Sequence, residues 1–380
     1  MVLSTQELGS SDNLVGFEHT LANIAERIRE QQWRRQKVAE ALSGLKGVGV
    51  VVEGLVEPHL INDVDMDPLE NLAVAGVDGG LFEQQLHGMD LILVRSISAI
   101  FHYRNALLEK AEYIPSELPP LKLIDIAEPI DAREFEFLTG MERQLAELEV
   151  AMEVVRRGGV ELLLLDGSAV PQYVDRFPHR PLLLEKYQKL IEAYIDLYQA
   201  CANSDVFLAG VVKDSRGGRF VDVLRHGVLP VVGDIGLEQR DLTILEHSRD
   251  TSLLDHMLKV GERTPAFTYA EKPASYVLRD LGVWAARVYA FYIKTVPFDR
   301  PLRIEFIDFD DRPSESSNQI ASFIYALSSH HDAFGLPSVL IEADVCARLS
   351  EEDMCIVRDS ISARLGPATF LELRRNMRPF

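Results

Sequence analysis

Two carboxylates stand at the ends of strongly apolar runs. Asp78 closes LAVAGVD and is followed at once by Gly79 and Gly80; Asp166 closes VELLLLD and is followed by Gly167 and Ser168. A short apolar run bounded by a turn signal fits a buried strand. A strand ending in this way delivers its acid from a rigid element to a place that a ligand can reach. On this reading the first strand stops at Asp78, and the two glycines turn the backbone and leave space beside the acid. Asp-Gly is also a common turn dipeptide, and either instance alone reads as a simple strand-to-turn junction. As a pair on such apolar strands they shift the balance towards a metal site. If the two strands are neighbours in one sheet, the acids converge, and converging carboxylates bind a hard divalent cation through oxygen. A site of that kind can activate water and stabilise the leaving oxygen in phosphodiester cleavage. A third ligand from an acidic helix and a fourth from near the C-terminus complete the set, with Glu149 and Asp344 as the choices. No zinc spacing, Walker A loop, GxGxxG or GxSxG competes with this reading.

Three cations belong to the same picture. Arg95 interrupts the apolar run LILVRSISAIF, where a buried guanidinium needs an anion, so it pairs with a carboxylate or meets a phosphate. Lys213 and Arg216 follow the strand-like run at 206–212, where a cation faces phosphate, neutralises a carboxylate or is a plain loop charge.

The elements that must position these groups read as α/β, a mixed sheet flanked by helices. Phe17, Leu21, Ile24 and Ile28 recur at helical steps, so residues 17–45 are expected to be helical with one apolar face. Residues 48–58 read as a short strand or hairpin, and the proline-bearing stretch 113–130 as loop or extended chain. Long helices are expected over 131–157 and 181–202. Later strands are expected over 283–295, 302–309 and 337–341, the first alternating only partly so that a helix is the alternative there, with helices over 318–329 and 353–365 and a basic tail, RRNMRPF. The expected division is an N-terminal helical arm and connector (1–65), a core (66–350), and a C-terminal helix and tail (351–380).

The chain of 380 residues is long enough for a sizeable core, and its 47 % hydrophobic and 26 % charged content is ordinary for a globular protein. A net charge of −20 argues against a generally basic surface for nucleic acid, though not against a local basic channel. Three cysteines, Cys201, Cys346 and Cys355, form no CxxC pair or disulfide framework, which fits a reducing cytoplasm. The first residues lack the pattern of a signal peptide, and no apolar run is long enough to span a bilayer, so a soluble cytoplasmic protein without a membrane association is expected.

Taken in order, VAGVDGG, LILVRSISAIF, ELLLLDGS, GVVKDSR, LKVGERTPAF, FYIKT with LRIEF, and GLPSVLIEAD resemble the NurA nuclease family over about residues 70–350. Each piece is a short apolar strand with a polar end; their ordered succession is the specific signal. The resemblance implies an RNase H-like core and a DNA end-processing nuclease that uses Mn²⁺ (or Mg²⁺). The activity implied is a 5′–3′ exonuclease, with single-strand endonuclease activity as a second expectation. It implies a homodimer that acts on DNA ends with a HerA-type hexameric translocase in resection and double-strand break repair. By motif, the two Asp-Gly acids are Asp78 and Asp166. The family's helix glutamate falls best by spacing on Glu149, with Glu142, Glu147 and Glu153 as alternatives. Asp344 stands where some members have histidine, Leu336 where some have tyrosine, and Asp-Gly-Gly replaces the more usual first Asp-Gly-Ser. Lys213 and Arg216 lie in the family's Lys-Asp-Ser-Arg segment and are assigned to phosphate. Two rival readings are an actin-like-fold ATPase or sugar kinase, which shares a similar core sheet, and a catalytically inactive DNA-clamp or assembly subunit. Asp78-dependent ATP hydrolysis without DNA cleavage would favour the first, and the presence of both Asp-Gly acids argues against the second.

Overall fold

The computed structural model describes residues 11–365 apart from 129, 173–179 and 274–275; the basic tail expected from the sequence lies outside the described residues. The chain opens with helix α1 (Ser11–Ser43), followed by a two-residue strand β1 (Asn62–Asp63). Strands β2 (Asn71–Gln85), β3 (Asp90–Arg104) and β4 (Leu107–Ile114) form an antiparallel meander, and β5 (Lys122–Ile126) also pairs with β3. Helix α2 (Ala132–Arg157) then crosses over to β6 (Leu162–Asp166), which adds to β2 in parallel. Helix α3 (Pro181–Asn203) makes the next crossover, to β7 (Phe207–Val212), parallel to β6. A meander followed by two parallel strands beside its first strand is the RNase H-like arrangement that the family resemblance implies.

Short helices α4 (Arg219–Val223), α5 (Leu229–Val232), α6 (Gln239–Leu242) and α7 (Asp250–Met257) come next, then the short strands β8 (Glu262–Arg263) and β9 (Phe267–Thr268). Strands β10 (Val288–Lys294) and β11 (Leu302–Ile307) extend the sheet antiparallel from β7. Helices α8 (Pro313–Ser328), α9 (Ser338–Ala347) and α10 (Glu351–Leu365) follow. The sheet order is β1-β8-β10-β11-β7-β6-β2-β3-β4.

The sheet is covered on both faces, which explains why its central strands read as unbroken apolar runs rather than alternating ones. On one face Ala73, Ala75, Val77, Leu163 and Leu165 pack with Leu138, Leu148 and Ala151 of α2 and with α3. On the other, Leu72, Val74, Leu162 and Leu164 pack with Ile320 and Ile324 of α8 and with Val339, Leu340 and Ala343 of α9. Helix α2 starts at a capping box between Asp131 and Glu134 and stops at Gly158, whose φ of 72° suits a residue without Cβ. The C-terminal end of α1 is buried: Val38, Ala39 and Leu42 pack with Leu253, Leu254 and Met257 of α7. Its N-terminal part differs. Phe17, Leu21, Ile24 and Ile28, the expected apolar face, are exposed.

Five expectations are corrected. Strand β2 does not end at Asp78 but runs on to Gln85, because β3 continues to pair with it: Gly79 opposes Ser96 and Gly80 opposes Arg95. The two glycines therefore provide clearance rather than a turn. A Cβ on Gly80 would lie 2.0 Å from the Ala347 carbonyl oxygen, and one on Gly79 2.6 Å from Glu147 Oε1. Second, the stretch 113–130 holds the end of β4 and all of β5; Pro115, Pro119 and Pro120 fall between the strands. Third, the run at 337–341 is the start of helix α9, not a strand; five apolar residues fit either, and Pro337 sits at the helix N-cap. Fourth, the strand expected over 283–295 begins only at Val288, after a 3₁₀ segment, Tyr276–Arg287. Fifth, among the described residues, 48–58 form no strand beyond an isolated bridge from Leu55 to Phe267. No helix among the described residues is long and apolar enough to cross a membrane.

Candidate metal centre

Parallel pairing of β2 and β6 sets Val77 against Leu165, so the next residue on each strand is an aspartate, Asp78 beside Asp166. Asp78 lies on the α9 side of the sheet, with Leu72 and Val74. Helix α9 approaches β2 closely because Gly76 and Gly80 offer no side chain: a Cβ on Gly76 would be 2.9 Å from the Val339 carbonyl. That close approach brings in Asp344, and one carboxylate oxygen from each of Asp78, Asp166 and Asp344 lies within 4.8 Å of the others.

A further acid lies on the opposite face. Glu147 of α2 reaches over Gly79, the position where any side chain would collide with it. Its Oε1 is buried without a hydrogen-bond partner, and the nearest cation, Arg143 Nη1, is 3.6 Å away. Glu149, chosen from spacing, is exposed and does not join the site. The reason is helical phase. Glu147 lies in line with buried Ala151 and Val154, four and seven residues on, whereas Glu149 is rotated about 200° away from it. The stripe through Ala151 and Val154 is the signal that could have selected Glu147. Glu142 is buried but is paired with Lys186, and Glu153 is paired with Arg157 on the surface.

The electrostatics match a site short of positive charge. Burial, then the charges of Asp166 and Asp344, push the Asp78 carboxyl up to about 6, against the opposing hydrogen bond from Gly79 N at 2.7 Å and the Lys213 charge. Burial pushes Glu147 up to about 8, with Asp78 and Asp166 adding to the rise and Arg143 opposing it. Lys213 Nζ donates to Asp166 Oδ2 at 2.6 Å, so of the roles open to it in the sequence it neutralises a carboxylate. Arg216 is exposed on the segment following β7. Arg95 extends on the Gly80 side to the α9–α10 junction, where it donates to the Arg348 carbonyl at 3.2 Å and lies 3.8 Å from Asp353. Three mutually repelling carboxylates are an all-oxygen donor set that a hard divalent cation fits, and behind Gly79 lies a fourth acid, Glu147, whose buried oxygen accepts no hydrogen bond.

A pH dependence follows. Each acid is held above its ordinary value, Asp78 between 3.8 and about 6 and Glu147 between 4.5 and about 8. Over those windows the metal-free fold keeps protons that the unfolded chain has released, so its stability falls as pH rises through them. A cation displaces the same protons, so its affinity rises over the same range. The melting temperature gained on adding Mn²⁺ is therefore expected to be larger at pH 8 than at pH 6, the two raised values. An equal or smaller gain at pH 8 would contradict the arrangement.

The NurA domain model matches residues 72–349. Among solved structures, the NurA nuclease from Sulfolobus solfataricus is 14 % identical and superposes with a TM-score of 0.58, covering 96 % of this chain and 98 % of that one. A structure of NurA with manganese is 12 % identical, with a TM-score of 0.45 over 79 % of this chain and 91 % of that one. Human ENDOV is 13 % identical, with a TM-score of 0.34 over 80 % and 94 % of the two chains. Comparison with curated proteins finds no match. At 14 % identity, the likeness to the Sulfolobus solfataricus structure is one of fold.

Proposed function

The chain belongs to the NurA family of nucleases, whose domain occupies residues 72–349, and from that premise we propose that it is a divalent-metal-dependent nuclease acting on DNA ends. The observation that carries this reading is the convergence of Asp78, Asp166 and Asp344, with carboxylate oxygens within 4.8 Å of one another. Asp78, Asp166, Asp344 and Glu147 would hold the cation, Mn²⁺ or Mg²⁺. When bound, such a cation activates water and offsets charge on the phosphoryl oxygens. Strands β2 and β6 fix the direction of two of the acids, and α9 and α2 close over them from opposite faces of the sheet. Lys213 orients Asp166 and places a positive charge where a backbone phosphate enters; exposed Arg216 extends that contact outward. Arg95, engaged at the α9–α10 junction, is better suited to holding α10 than to meeting DNA.

We further propose 5′–3′ exonuclease polarity, action as a homodimer with a HerA-type translocase, and a cytoplasmic site of action. These follow from the family resemblance and, for the last, from the three free cysteines. The nuclease unit is taken as residues 66–350, flanked by the N-terminal arm and the C-terminal helix and tail.

The decisive assay incubates end-labelled single- and double-stranded DNA with the protein and Mn²⁺, Mg²⁺ or EDTA. Cleavage is expected with the cations and none with EDTA. Cleavage that persists in EDTA, or ATP hydrolysis without DNA cleavage, would refute the proposal.

A further inference from the structure

We infer that Ser168 and Glu305 are positioning residues that hold the Asp166 carboxylate in the site, an inference that rests on the metal-dependent reading above. Glu305 lies on β11, two strands from Asp166, and is 3 % exposed. Its register partner on β7 is Gly210, whose own partner on β6 is Leu165. Gly210 has no side chain, and the chain leaving β6 lies directly across it: a Cβ there would be 2.5 Å from the Gly167 oxygen and 2.4 Å from the Ala169 nitrogen. This close approach carries Ser168 over β7 to Glu305, and the Ser168 hydroxyl donates to Glu305 Oε2.

The hydroxyl has no freedom left. Its single proton goes to Glu305, while it accepts from Val170 N at 3.2 Å and from Gln172 Nε2 at 2.7 Å. Glu305 is equally constrained, because its Oε1 accepts from Arg303 Nε at 2.7 Å. Arg303, 5 % exposed, is in turn packed over the rings of Phe267, Tyr269 and Tyr292. On the other side of the anchor, Gly167 takes a φ of 113° and donates its N–H to the Val211 carbonyl at 3.0 Å. Tyr198 Oη donates to the Ala169 carbonyl at 2.6 Å. The peptide leaving Asp166 is thus tied down at each of the three following residues.

A buried ion pair is weak evidence for stability, since apolar residues of similar volume often serve as well. What Glu305 and Arg303 supply that apolar residues cannot is direction: one carboxylate oxygen taken by the guanidinium, the other aimed at Ser168. Through Ser168 this sets the backbone from which Asp166 extends towards Lys213 and the other acids.

The test uses the full chain with Ser168→Ala and, to keep the hydroxyl, Ser168→Thr. Calorimetric titration with Mn²⁺ is followed by kcat and KM on end-labelled DNA. Ser168→Ala is expected to weaken Mn²⁺ binding about tenfold, the low end for losing a residue that orients a metal ligand. KM for DNA should be unchanged, and Ser168→Thr should stay close to wild type. A lower melting temperature with unchanged Mn²⁺ affinity makes Ser168 merely structural and overturns the inference, as does equal weakening in both variants. If Ser168→Ala matches the wild type while the wild type binds Mn²⁺ and cuts DNA, only this inference fails. If the wild type binds no Mn²⁺ and cuts no DNA, the nuclease reading fails and takes this inference with it.

Discussion

Asp78→Asn is expected to lower Mn²⁺-dependent DNA cleavage by about a thousandfold or more, a loss of about 4 kcal/mol in transition-state stabilisation. The amide has the same shape as the carboxylate and keeps an oxygen for the Gly79 N–H, which now lies 2.7 Å from Asp78 Oδ1. What it removes is a charge at the centre of the acidic group formed with Asp166 and Asp344. The same substitution should leave the metal-free protein at least as stable as the wild type above pH 6. The Asp78 carboxyl, pushed up to about 6 by burial and by its acidic neighbours, is a liability there once ionised. Loss of function with no loss of stability is the signature of a group kept for chemistry at a cost to the fold. Cleavage rates on end-labelled DNA, set beside melting curves recorded without metal, measure both halves. A variant that retains cleavage within tenfold of wild type would remove Asp78 from the site.

Much of this was legible in the chain because strand-borne residues are set by short-range pattern. The apolar runs ending in Asp78 and Asp166 mark two central strands, and their adjacency follows once α2 is recognised as a parallel crossover. Asp344 was also readable, though on the wrong element. The run beginning at Pro337 has too few residues to separate strand from helix, and only the clearance at Gly76 and Gly80 reveals that a helix backbone lies against β2. The role of the double glycine was misread for the same reason. Asp-Gly-Gly is a turn signal locally, but fifteen register pairs between β2 and β3 carry the strand straight through it. A long-range contact therefore overruled a local preference, and the glycines serve packing against α9 and Glu147 instead. Glu305 was not legible as a site-related residue at all, because its link to Ser168 depends on the side-chain gap at Gly210, two strands away from Asp166.

The sharpest contrast concerns two glutamates on one helix. Glu147→Gln is expected to lower cleavage about a hundredfold, while Glu149→Gln leaves it unchanged. Glu149 is exposed, and a neutral side chain there alters one solvated charge on a protein whose net charge is −20. Glu147 is different. Its buried Oε1 has no hydrogen-bond partner, and its carboxyl is pushed up to about 8. Below that pH the metal-free protein holds Glu147 with its proton on, so glutamine is close to a copy of the resting state, and the melting temperature without metal should not fall at pH 6 to 7. In the presence of Mn²⁺ the two diverge, since only the glutamate can release its proton and offer an anionic oxygen to a cation. The rise of Mn²⁺ affinity with pH should then shorten in Glu147→Gln. The portion running up to about 8 is lost with Glu147, and the portion through about 6 stays with Asp78. Calorimetric titrations across this range, run on both variants, read the difference directly. An inactive Glu149→Gln beside a fully active Glu147→Gln would mean that α2 presents its other face to the sheet, and that the fourth acid of the site is not the one over Gly79.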